Sequence, residues 1–215
     1  LIVRSSTYRQ ASIAASDPKA VWLAGFPRQR LTAEELRDSL LAVSNVLDRT
    51  QGEAHPFPPE STWGFSQHGP FAAEYDTNRR SVYVMQKRNR RTRFFALFDG
   101  ADPNASTPVR DVTTVPTQAL YFMNDAFVTR TATTIAAEIT GQSGTDSDRL
   151  NAMTRRIFGR SANEAELQDL SDLRESASAK VDGTSANTSE RLSNEAIWSA
   201  MAKIMLSSNE FLYVD

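Results

Sequence analysis

Seven cations and no acid crowd fifteen residues of this chain: Arg79, Arg80, Lys87, Arg88, Arg90, Arg91 and Arg93. Like charges held this close repel, so a partner anion or neighbouring carboxylates must compensate. A guanidinium meets a carboxylate, sulfate or phosphate through two parallel hydrogen bonds, which makes arginine well suited to an anion site. Asp99, Asp102 and Asp111 follow closely in sequence, so pairing inside the fold is the simpler expectation. Just downstream, Arg110-Asp111-Val112-Thr113-Thr114-Val115-Pro116-Thr117-Gln118 sets hydroxyls and a carboxylate before a proline suited to the first turn of a helix. Helix capping accounts for Thr113 and Thr114. A helix N-terminus also favours anions, so these threonines with Arg110 could complete a site beside the basic run.

Other constellations are weaker. Asp99 and Asp102 could form a carboxylate pair for acid–base work, but Asp-Gly-Ala-Asp-Pro-Asn is more often a turn held by side-chain hydrogen bonds. The two histidines, His55 and His68, share a Pro/Gly-rich stretch with Glu53 and Glu60, without the helical spacing of a metal site. No Gly-x-Ser-x-Gly elbow occurs. The chain has no Cys, which removes thiol catalysis, disulfides, Cys-ligated clusters and covalent haem attachment from it. No metal and no cofactor is therefore assigned to this chain.

The elements that must position these groups are mostly helices, about seven of them. Thr32 and Glu35 make a capping box, and Leu36, Leu40, Val43 and Leu47 recur on one helical face, with Arg37 and Asp38 off that stripe. From Gln51 to Pro70 prolines and glycines interrupt any regular element. Alternation over residues 80–88 predicts a minor β-strand or hairpin element. Phe94 to Phe98 predicts one or two helical turns. A helix from Pro116 runs through a core-facing Tyr121-Phe122-Met123, and another runs from Asn124 or Asp125 to Ile139. Leu150, Met153, Ile157 and Phe158 mark a further helix closed by Gly159. Ser161 and Glu164 predict a second capping box, residues 176–189 a flexible connector, and residues 189–208 the last helix.

With 215 residues the chain is long enough to bury a core without a metal or disulfide staple. We read residues 1–215 as a single domain, with possible sub-lobes 1–140 and 145–215. Residues 1–139 carry 16 basic and 14 acidic side chains, residues 140–215 carry 8 and 12, and the whole chain is −2. That balance makes nucleic acid an unlikely partner. No apolar run approaches the roughly 20 residues of a membrane span. The chain opens at Leu1-Ile2-Val3 without Met or signal peptide, which suggests a piece of a longer polypeptide.

Several stretches together resemble one known family. They are Ser6-Thr7-Tyr8-Arg9-Gln10; Pro27, Arg28, Arg30, Leu31 and Ala33-Glu34; and Arg79-Arg80-Ser81-Val82-Tyr83-Val84. Phe98-Asp99-Gly100-Ala101-Asp102-Pro103, Thr113 to Leu120, Asn124-Asp125 and Leu206 to Tyr213 complete the set. The chain resembles the bacterial domain of unknown function 1553, the C-terminal part of large planctomycete- and verrucomicrobia-type proteins. The resemblance implies an exported or periplasmic protein, often with an upstream cytochrome c-like domain. It supplies no catalytic residues. Its recurrent positions here are Arg79, Arg80, Asp99, Asp102, Arg110, Thr114, Pro116 and Gln118.

The resulting expectation is a non-catalytic binding or scaffolding module. It would dock an upstream redox domain, an acidic protein or an anionic ligand through Arg79, Arg80, Lys87, Arg88, Arg90, Arg91, Arg110, Thr113 and Thr114. Asp99, Asp102 and Gln118 would orient those groups. The alternative is an enzyme on acidic or sulfated polysaccharide with Asp99 or Asp102 as acid or base.

Overall fold

A computed structural model of the chain describes residues 28–52, 59–62, 76–88, 91–106, 108–183 and 194–214. Arg90, His55, His68 and Glu53, the aromatic opening stretch through residue 27, and residues 184–193, which span the end of the expected connector and the start of the expected last helix, lie outside these residues. Within them the fold is mainly helical, with eight α-helices and one small antiparallel sheet.

The first helix, α1 (Ala33–Val43), begins where the sequence dictates. The Thr32 hydroxyl accepts from the Glu35 amide at 3.3 Å, and the Glu35 carboxylate accepts from the Thr32 amide at 2.8 Å. Leu36 and Leu40 are buried as expected, but Leu47 is not on the helix. The Ser44 hydroxyl donates to the Leu40 carbonyl and Asn45 turns to φ 59°, so the chain leaves the helical path before Leu47.

Next come α2 (Arg93–Leu97), α3 (Pro116–Asn124) and α4 (Ala126–Thr140), the last capped by the Asp125 carboxylate on the Phe127 amide at 2.8 Å. The α5 helix (Asp146–Phe158) ends at Gly159 in the left-handed conformation that glycine adopts without strain. Then follow α6 (Glu164–Gly183), α7 (Asn194–Leu206) and the single turn α8 (Asn209–Leu212). Residues 176–183 of the expected connector therefore continue a helix. The expected Ser161/Glu164 box is replaced by Asn163 and Glu166, whose side chains each accept the other's amide at 2.9 Å. Ser161 is occupied elsewhere, accepting from the Arg155 guanidinium.

The sheet is not where alternation predicted it. It joins β1 (Gln29–Arg30) to β2 (Tyr213–Val214), pairing Gln29 with Val214 and Arg30 with Tyr213, and so ties the two ends of the described chain together. Residues 81–83 instead form one 3-10 turn, with Val82 70% exposed. An extended segment needs a neighbour to take its amides, and here they are taken singly. Asp38 accepts from the Ser81 amide at 2.7 Å, and the Asp48 carbonyl accepts from the Arg80 amide at 3.2 Å.

One apolar cluster runs through the molecule, and α4 against α7 is its most extensive helix pair. Trp198 of α7 is fully buried. An aromatic knot of Phe94, Phe95, Phe98, Tyr121, Phe122 and Phe127 packs mostly edge to face, the favoured geometry for ring quadrupoles. Met123, expected in the core, is 62% exposed.

Candidate functional site

The arginines of the basic run are compensated by carboxylates of other elements rather than by the nearest acids. Arg79 lies 3.7 Å from Asp48, Arg80 3.8 Å from Asp38 on α1, and Arg93 4.0 Å from Asp125. Arg110 makes a short 2.6 Å pair with Glu34, also on α1. Arg91 does meet an expected partner, Asp102, at 3.8 Å, and donates to the Gly100 carbonyl at 3.0 Å. The polar face of α1 thus offers Glu34 and Asp38 to two arginines far away in sequence. Thr50, hydrogen-bonded to Asp48 through hydroxyl and amide, holds that carboxyl below its ordinary range, with Arg79 adding to the effect.

Among the described residues Asp99 meets Thr113 rather than an arginine. It sits at φ 60°, a left-handed conformation Asp tolerates better than most residues, and accepts from the Thr113 amide at 2.8 Å and the Thr113 hydroxyl at 2.9 Å. Thr113 is therefore a clasp for Asp99 and does not cap α3. The α3 entry is completed by Gln118, whose side-chain oxygen accepts from the Val115 amide at 3.3 Å. That same oxygen accepts from Arg30 at 2.9 Å, and the Gln118 amide group donates to Leu97 and Thr113 carbonyls at 2.9 and 3.2 Å. Arg30 also donates to the Thr113 carbonyl. Gln118, 5% exposed, thereby links β1, α2 and the approach to α3. Asp102 accepts from the Asn104 amide at 2.9 Å, an Asx turn, while Asn104 donates to the Arg88 carbonyl. Arg88 and Thr114 are exposed, and Lys87 is buried at 7% exposure.

Larger concavities border this network. An open groove of about 1070 Å³ runs between α1, residues 80–86 and the 101–110 loop. Its walls include apolar Leu31, Leu47, Val84 and Phe95, and Arg80 and Arg110 stand on its flanks beside Asp38 and Glu34. A second cavity of about 350 Å³ lies between residues 76–87, α2 and the α3–α4 junction. Four cations line it: Arg37, Lys87, Arg93 and Arg130. Burial pulls the Arg37 guanidinium below its ordinary pKa. Its hydrogens go to the Arg79 carbonyl at 2.9 Å, the Ser81 hydroxyl at 3.3 Å and the Thr77 carbonyl. Sequence reasoning passed over Arg37 and Arg130. The only available signal was that Arg37 falls off an otherwise apolar stripe.

Among the described residues no group of three or more His, Asp or Glu side chains is arranged to hold a metal, and no helix is long and apolar enough to cross a membrane.

These features define a helical domain in which an arginine–carboxylate network stitches loops onto a short aromatic helix beside charged concavities. By sequence, the family model described as PSD1, protein of unknown function (DUF1553), matches residues 1–174, so the chain belongs to that family. No curated protein and no solved structure matches it. The α7 helix lies beyond the matched residues, although it completes the core.

Proposed function

We propose that this chain is a non-catalytic binding and scaffolding domain of an exported multidomain protein, and that its groove between α1 and the 101–110 loop docks an upstream redox domain. The observation that carries this reading is the groove itself. It combines apolar walls with two half-exposed ion pairs, Arg80–Asp38 and Arg110–Glu34. Exposed pairs of this kind contribute only about 0–1 kcal/mol each, so a partner's carboxylate can replace the intramolecular one at little cost. Apolar centre and polar rim is also the usual anatomy of a protein–protein interface. The exported setting and the redox partner come from the family resemblance.

The enzyme alternative requires Asp99 or Asp102 to act on a substrate. Asp99 is held by Thr113 of the approach to α3, and Asp102 by Asn104 in an Asx turn and by Arg91, so both carboxylates already have partners inside the fold.

The test is calorimetric titration of this chain with the upstream part of its parent polypeptide. Arg80→Glu with Arg110→Glu is expected to weaken binding at least tenfold, with circular dichroism unchanged. Unaltered affinity in that double variant would remove the groove from the interface. Polysaccharide cleavage abolished by Asp99→Asn would replace the docking reading with the enzymatic one.

A further inference from the structure

The α6 helix is attached differently from the helices it lies on. It packs against α5 and α7, which bury four and six of their residues. None of the described α6 side chains, residues 164–177, is buried. Leu167, Leu170 and Ala177 are partly buried against the core, and Leu173 is exposed. With so little apolar area enclosed, burial holds this helix less firmly than it holds α5 or α7.

Polar contacts make up the attachment, and they differ between its two ends. At the start, Arg160 holds Glu166 through two hydrogen bonds, at 2.6 and 2.7 Å, and reaches Glu210 on α8 at 2.6 Å. The Asn151 side chain of α5 also accepts from the Ala162 amide at 3.1 Å. About two turns further along, Arg174 pairs with Asp146 in the first turn of α5 at 2.7 Å. Its guanidinium also lies over the fully buried Trp198 ring, 5.6 Å from the centroid. This second seam is imperfect. The Arg174 Nε and Trp198 Nε1 hydrogens are both buried and find no acceptor among the described residues. A buried donor without an acceptor has given up its hydrogen bonds to water, so the closed seam carries a standing cost that exposure to solvent relieves.

We infer that α6 is a hinged cover over Trp198: it stays fastened at Arg160, and its Arg174 end swings away from α7 in an opening that costs less than unfolding the domain. Opening breaks the partly exposed Arg174–Asp146 pair and the contact between guanidinium and indole, and it returns two N–H groups to water. Gly159, at φ 73°, and residues 160–163 supply hinge backbone between α5 and α6. The open form is a minor species, so the bulk unfolding transition stays single. The described lining of the groove includes no residue of α5, α6 or α7, so this cover and the docking surface stand or fall separately.

Native-state hydrogen exchange on the full chain, read at urea concentrations below the unfolding midpoint, tests this. After correction for intrinsic rates, amides of residues 168–177 are expected to exchange roughly tenfold or more faster than those of α4, with a weaker dependence on urea. The Trp198 indole hydrogen, followed by NMR, should exchange with the α6 amides rather than with the backbone amides of α4 and α7. Asp146→Asn should speed both by about two- to fivefold, as expected for loss of a partly exposed ion pair, and leave α4 unchanged. Raising salt should act in the same direction. The inference is overturned if α6 and the Trp198 indole share the urea dependence of α4, or if Asp146→Asn, folded by circular dichroism, exchanges as the parent does. Fast exchange of α6 without the Trp198 indole would also overturn it, because the helix would then fray without uncovering the seam.

Discussion

Gln118 and Asp99 show how single polar side chains fix the loops around the basic run. Gln118 is buried and uses both ends of its amide, donating to Leu97 and Thr113 and accepting from Arg30 and Val115. Gln118→Leu keeps the volume but strands those partners, each costing about 1–3 kcal/mol where it stays dry. Its urea unfolding midpoint should fall clearly, and an unchanged midpoint would show that water replaces the amide. Asp99 needs both a left-handed backbone and an acceptor for Thr113. Asp99→Asn keeps a tolerated conformation and one acceptor oxygen, whereas Asp99→Ala keeps neither. Thermal melting should therefore rank the parent above Asp99→Asn, and Asp99→Asn above Asp99→Ala.

At the scale of elements, the junction of α5, α6 and α8 depends on one arginine. Arg160 pairs with Glu166 at 2.6 Å and with Glu210 at 2.6 Å, fastening the start of α6 to α8. Its hydrogen bonds, followed by the one from the Asn163 amide, hold the Glu166 carboxyl down to about 2. A depressed carboxyl contributes stability that is complete above its unfolded value near 4.5 and disappears as pH falls toward 2. Melting temperatures at pH 6 and pH 3 should therefore converge more in Glu166→Gln than in the parent, because the variant has already lost that pH-dependent contribution. An equal drop in both proteins would mean the pair contributes nothing. Gly159, the neighbouring α5 terminator at φ 73°, has nothing within 4 Å of where a Cβ would stand. Gly159→Ala should thus cost about 1 kcal/mol from backbone conformation alone, measurable by urea denaturation.

Across the whole molecule, the sub-lobes suggested at 1–140 and 145–215 share a single apolar cluster through α4 and α7. Circular dichroism and tryptophan fluorescence should accordingly report coincident unfolding, and Trp198→Ala should destabilise the entire domain by about 3–5 kcal/mol. Two separated transitions would show that the lobes fold independently. Truncation after residue 174, where the family match ends, removes α7 and is expected to abolish the cooperative transition.

Much of this architecture is written in local sequence. The Thr32–Glu35 box, Pro116 at a helix entry, Gly159 at an exit and the apolar spacing of α5 all act within a turn or two of themselves. Their physics needs no distant partner, so they could be read directly. The alternation of residues 80–88 was equally legible, but a strand exists only if another strand takes its amides, and Asp38 and Asp48 took them instead. The same limit applies to the basic run. Sequence showed that seven positive charges had to be balanced, and the acids nearest along the chain were the natural candidates. Folding set Glu34, Asp38 and Asp48 beside three arginines of this region and brought Arg37 and Arg130 to a cavity with two of its cations, because electrostatic pairing depends on distance in space, which only packing of the helices sets.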